Sequence, residues 1–113
     1  MKLTLRFYKG VDPFKKMDLV LVLEIDEDKY KALFSNLITQ QNFPLIYEEF
    51  FVQLFEDSDA INFSLLELEY FSVKFQLILE KTERYIHLHE TVFKILEAIY
   101  DAIKNRQDLY IVR

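Results

Sequence analysis

Apolar residues recur along this chain with two different periods, and this combination restricts the fold more than any other feature. Leu3, Leu5 and Phe7 alternate with polar residues, a period of two that places them on one face of a strand. Across residues 90–105 the apolar positions instead recur every three or four residues, which is the pattern of an amphipathic helix. Strand and helix patterns in one short chain predict the α+β class.

The same patterns, followed along the chain, predict an order of elements. They indicate a hairpin of strands 2–9 and 19–25, helices 27–41 and 44–56, a meander of strands 64–71, 73–80 and 84–89, a helix 90–105 and an edge strand 109–113. We therefore expect an antiparallel sheet of about five to six strands with about three helices packed on one face, in the order ββααβββαβ. One alternative stays open, because residues 82–89 also fit an early start of the last helix.

Length and composition predict a single globular domain over residues 1–113. The chain is 51% apolar and 29% charged, which is enough to form a packed core. Its longest aliphatic run, residues 19–23, is far shorter than the roughly 20 residues that span a bilayer. The first residues alternate in polarity and lack the basic and apolar blocks of a secretory signal, so we expect a cytoplasmic protein that does not bind membranes.

Several enzyme classes are excluded by residues that the chain lacks. It has no Cys, which excludes disulfides, thiolate metal sites and a Cys nucleophile. Its single glycine, Gly10, cannot supply the several glycines of a phosphate-binding loop, and no serine lies in a G-x-S-x-G turn. The sequence thus predicts neither a cofactor nor a catalytic residue, and we expect a binding function.

Charge is distributed unevenly along the chain. The formal net charge is −5, which disfavours direct binding to nucleic acid. Between Lys31 and Lys74 there is no Lys or Arg but there are seven carboxylates, whereas the residues on either side of this acidic segment carry +1 each. The acidic segment also holds nine of the 18 aromatic residues. Carboxylates that lack cations nearby repel one another, so a basic partner would stabilise them.

This pattern predicts a protein-binding surface on the acidic segment. The expected partner-binding residues are its carboxylates and three aromatic anchors, namely Glu48, Glu49, Glu56, Asp57, Asp59, Glu67, Glu69, Tyr47, Tyr70 and Phe71. Such a surface is typical of small acidic inhibitors, and the hypothesis is an immunity protein or antitoxin that covers the active site of a basic, nuclease-like toxin. The plainer alternative is that the carboxylates are the solvated face of a helix whose aromatics form the core.

Two further functions remain open. The chain could be a structural or adaptor subunit that forms a homo-oligomer through an exposed strand edge or an apolar face. It could also be a metal-dependent enzyme, because His87 and His89 would project from the same face of a strand. A divalent metal site needs at least one more ligand, so the histidine pair is the weaker hypothesis.

Overall fold

The computed structural model describes residues 2–10, 18–26, 28, 60–81, 83 and 86–112. These residues form strands β1 (Lys2–Gly10), β2 (Asp18–Asp26) and β3 (Ala60–Phe63), helices α1 (Leu65–Lys81) and α2 (Ile86–Lys104), and strand β4 (Asp108–Val112). The predicted helices 27–41 and 44–56 lie outside the described residues, apart from Asp28. The α+β class is confirmed.

The four strands form one antiparallel sheet in the order β2-β1-β4-β3. In β1 and β2, which pair antiparallel as predicted, Leu5 lies opposite Leu23, and the register shifts between Phe7 and Tyr8. On the other side of β1, Phe7 lies opposite Ile111 of β4. Alternate residues of each strand thereby point to the same face of the sheet.

Both described helices pack on this face of the sheet and complete one hydrophobic core. Leu5, Phe7 and Ile25 of the sheet are buried there with Phe75 of α1 and Ile95 of α2. Burial of these side chains is the main stabilising contribution to the fold.

The predicted meander is wrong, because residues 65–81 form one helix and residues 86–89 belong to α2. Alternation in this segment arises because α1 carries apolar residues on two opposite sides, which imitates the period of a strand. For residues 86–89 the open alternative is therefore settled in favour of the early helix start, and residues 82, 84 and 85 lie outside the described residues. The described residues contain four strands, fewer than the five to six expected, and β3 was not predicted.

The last strand forms where it was predicted, but its place in the sheet was not. β4 lies between β1 and β3 and pairs with both, so it is a central strand and not an edge strand. Strand order depends on contacts between residues far apart in the chain, which the local pattern of β4 does not encode.

A residue in the left-handed backbone conformation follows α2, and the chain turns there toward β4. Arg106 has φ 53°, its N–H donates to the carbonyl of Ile103, and the N–H of Gln107 donates to the carbonyl of Ala102. This pair of bonds is the Schellman arrangement, in which glycine usually occupies the position of Arg106.

Candidate functional site

The start of α1 is fixed by a reciprocal set of hydrogen bonds. The N–H of Glu67 donates to Ser64 Oγ at 3.3 Å, and the N–H of Ser64 donates to Glu67 Oε1 at 3.1 Å, which forms a capping box. The N–H of Leu65 donates to Asp108 Oδ1 of β4 at 3.2 Å. The capping box fixes the first turn of α1, and the bond to Asp108 anchors that turn to the sheet.

The inner side of α1 belongs to the core. Leu68, Phe71, Phe75 and Ile78 are each at most 4% exposed. Phe71 also makes an edge-to-face contact with Phe63 of β3, with ring centroids 5.2 Å apart. These four positions are spaced by three or four residues, which accounts for one complete apolar side of a helix.

A second apolar stripe lies on the opposite side of α1. Its members are Leu66, Tyr70, Val73 and Leu77, which are 77%, 42%, 60% and 41% exposed. At about 100° per residue, this stripe is centred almost diametrically opposite the buried side. We call these four residues the outer face of α1.

Charged and polar residues border the outer face of α1 on both sides. Helical spacing places Glu67 and Lys74 on one border, and Glu69, Gln76 and Glu80 on the other. The Nζ atom of Lys74 lies 5.6 Å from the centroid of the Tyr70 ring, within the range of a cation–π contact. The first border thus carries both signs of charge, and the second carries only negative charge.

Helix α2 extends this surface on the side of Gln76. The hydroxyl of Tyr100 donates to Gln76 Oε1 at 3.0 Å, which joins the two helices near the outer face of α1. Tyr100 is 46% exposed and Phe93, two turns earlier on the same side of α2, is 47% exposed. The Tyr100 ring therefore lies next to the Gln76 border of the outer face of α1, and Phe93 adds exposed apolar area further along α2.

The structure brings together three of the predicted site residues. Glu67, Glu69 and Tyr70 lie within the first two turns of α1 and are exposed. Phe71 lies next to them in sequence but is buried, so it contributes to the core. The remaining predicted site residues lie outside the described residues, namely Tyr47, Glu48, Glu49, Glu56, Asp57 and Asp59.

Three residues of the outer face of α1 were missed by sequence reasoning. Leu66, Val73 and Leu77 were assigned to strands, although with Tyr70 they follow the spacing i, i+4, i+7 and i+11 of a helix. The interleaved inner stripe follows the same rule. The presence of two interleaved stripes with helical spacing in one segment would therefore have predicted a helix with two apolar sides.

The histidine pair does not keep the geometry on which the metal hypothesis depended. Residues 87 and 89 are both within α2, and positions two apart on a helix lie on different faces. The prediction that they share one face of a strand is wrong. Within the described parts of the chain, no group of three or more His, Asp or Glu residues is placed to hold a metal ion.

A small pocket lies between β2 and α2, away from the outer face of α1. It has a volume of about 220 Å³ and is lined by Val20, Leu21, Lys94, Glu97, Ala98 and Asp101. Ligand pockets usually measure about 300 to 1,000 Å³. Asp101 is also paired with Lys9, so its charge is already compensated.

The chain matches no known protein-family model, no curated protein and no solved structure. Neither of the two described helices combines the length and the apolarity needed to cross a bilayer.

Proposed function

We propose that this protein functions by binding another polypeptide on the outer face of α1, as an interaction subunit and not as an enzyme. The observation that carries the proposal is the second apolar stripe, which lies opposite the core and is 41% to 77% exposed. A helix that is apolar on both sides is typical of a helix covered on both sides.

The cost of leaving this surface in water supports the same proposal. Single exposed apolar residues are common, but four that adjoin along one helix form one continuous stripe. Patches of this kind in soluble proteins mark binding surfaces. The polar borders of the patch match the composition of an interface, which has an apolar centre and a polar rim.

A photoreactive residue tests this proposal. Val73 is replaced by p-benzoylphenylalanine in the full chain inside producing cells, and Val22, which is 50% exposed on β2, is replaced in the same way as a control. After irradiation we expect an adduct heavier than one chain from position 73 and none from position 22. A chain that forms no such adduct at position 73, or forms it equally at both positions, would contradict the proposal.

A second candidate function is the inhibition of a basic partner, as an immunity protein or antitoxin does. The segregation of charge favours it, because Glu67 and Glu69 border the outer face of α1 and belong to the segment that lacks Lys and Arg. In this function the carboxylates would occupy an anion-binding groove of the partner, and Tyr70 would be an apolar anchor.

Salt and charge reversal test the second candidate. If the adduct from position 73 contains a basic protein, its yield should fall at 0.5 M salt and in Glu69→Lys, because both changes weaken complementary charge. Lys94→Glu, on the side of α2 that lines the pocket, changes one charge elsewhere and should leave the yield unchanged. An adduct whose yield is insensitive to salt would exclude the electrostatic mechanism.

A further inference from the structure

The spacing of the outer face of α1 is the same in both directions along the helix. From Leu66 to Tyr70, Val73 and Leu77 the steps are four, three and four residues. If a second, identical helix is turned end for end and placed on this face, Leu66 lies opposite Leu77 and Tyr70 lies opposite Val73. Two-fold symmetric interfaces require this kind of self-complementarity.

We infer that the polypeptide bound by the outer face of α1 is a second copy of this chain, packed with the two α1 helices antiparallel. This inference rests on the proposed function, and it specifies the partner. The four-three-four spacing is that of the apolar seam between two packed helices, so the side chains of each helix fit between those of the other.

Charge complementarity on one border favours the antiparallel arrangement. A two-fold axis that reverses the helix brings each border against the same border of the second copy. Glu67 of one chain then lies within two residues, along the axis, of the level of Lys74 of the other, and symmetry forms this pair twice. On the second border Glu69 approaches the neutral Gln76, and like charges are kept apart.

A parallel arrangement lacks this complementarity. It would bring the two different borders together at equal heights, so that Glu67 of one chain approaches Glu69 of the other. Like charges across an interface are unfavourable, and here the repulsion would occur twice. The positions of Glu67, Glu69 and Lys74 thus favour the antiparallel direction over the parallel one.

The size of the surface predicts a weak dimer. Four partly exposed side chains give an area below the roughly 800 Å² per partner of a standard interface. We therefore expect a concentration-dependent equilibrium between monomer and dimer, with a dissociation constant of roughly micromolar or weaker.

Sedimentation equilibrium of the full chain, from about 1 µM to about 1 mM, measures this association directly. We expect the wild-type chain to form a dimer within this range, and Val73→Asp to weaken the association by about a hundredfold or more, because it places a carboxylate at the centre of the apolar contact. Val22→Asp is the matched control, since it makes the same change at a valine of similar exposure, and it should leave the association unchanged.

Exchange of charge tests the antiparallel register. Glu67→Lys and Lys74→Glu should each weaken self-association by about tenfold, because each places like charges at both symmetric pairs. Glu67→Lys also removes the carboxylate of the capping box, so Glu67→Gln, which retains a side-chain acceptor for Ser64, is measured beside it and should weaken self-association less. When Glu67→Lys and Lys74→Glu are mixed, every pair is again opposite in charge, and the heterodimer should recover the wild-type affinity. Glu69→Lys has the same net charge as Glu67→Lys and should retain the wild-type association.

The outcomes separate this inference from the proposed function. A chain that stays monomeric up to 1 mM overturns the second copy as partner, while the proposed function stands if position 73 still forms an adduct with a different polypeptide. If position 73 forms an adduct only within its own chain, both the second copy as partner and the proposed function are overturned. A dimer that Val73→Asp abolishes but that the mixed charge variants do not restore would overturn the antiparallel register.

Discussion

Lys9 Nζ donates to Asp101 Oδ2 at 2.9 Å, which joins β1 to α2 at the edge of the core. The Lys9 side chain is 18% exposed and that of Asp101 is 40% exposed. Asp101 Oδ1 also accepts a hydrogen bond from Asn105 Nδ2 at 3.2 Å. The carboxylate thus links the sheet to the last turn of α2.

Replacing Lys9 by Met should lower the free energy of unfolding by about 0.5 to 1 kcal/mol, because Asp101 is exposed enough to regain water when its partner is lost. Urea denaturation of Lys9→Met, Asp101→Asn and the double variant gives the coupling energy between the two side chains. We expect a coupling below about 1 kcal/mol that decreases further in 1 M salt. A coupling that salt does not change would show that the contact is not electrostatic.

The capping box at the start of α1 gives a second prediction. Ser64→Ala removes the hydroxyl that accepts from the N–H of Glu67, and it should cost about 1 kcal/mol of stability. Ser64→Thr keeps a hydroxyl at the cap and should retain most of the stability that Ser64→Ala loses. Thermal unfolding of both variants measures the difference, and equal losses would mean that the cap does not depend on the hydroxyl.

Phe71 and Val73 differ in role although they are two residues apart. Phe71→Ala should lower the free energy of unfolding by about 3 to 5 kcal/mol, since it leaves a cavity in the core. Val73→Ala should change it by no more than about 0.5 kcal/mol, because Val73 is 60% exposed. Urea denaturation at low protein concentration, where any self-association contributes least, checks both values. A stable Phe71→Ala variant would return Phe71 to the set of partner anchors.

The end of α2 can be made more stable. Arg106→Gly should raise the free energy of unfolding by about 0.5 to 1 kcal/mol, because glycine adopts a positive φ without steric cost. Arg106→Ala is the control, since it removes the same side chain but keeps Cβ, and no such gain is expected. An equal gain in both variants would assign the effect to the arginine side chain and not to the backbone.

The spacing of apolar residues along the sequence predicted the type of an element correctly where only one side of that element faces the core. Leu3, Leu5 and Phe7 alternate because only one face of β1 meets the core, and the stripe of α2 follows the helical period for the same reason. The bounds of β1 were predicted to within one residue, whereas α2 begins four residues before its predicted start. In α1 the same reasoning failed, because residues such as Leu66 and Leu68 are apolar for two different reasons, one facing outward and one facing the core.

Position in the sheet and the extent of the candidate site could not be predicted in the same way. The placement of β4 beside β1 depends on Phe7 meeting Ile111, a contact between distant parts of the chain. The charge pattern identified Glu67, Glu69 and Tyr70 as part of a surface, but charge carries no information on burial. Phe71 was therefore grouped with Tyr70, although one helical position separates a core residue from an exposed one.

The central position of β4 also has a consequence for the time course of folding. The ribosome makes β4 after the other three strands, and among the described strands β3 pairs only with β4. The nascent chain can therefore form the pair of β1 and β2 early, but β3 cannot join this pair in one sheet until the five residues of β4 emerge. Until β4 has been made, Phe63 of β3 and the inner side of α1 lack part of the core that buries them in the folded chain, and apolar surface exposed in this way favours aggregation.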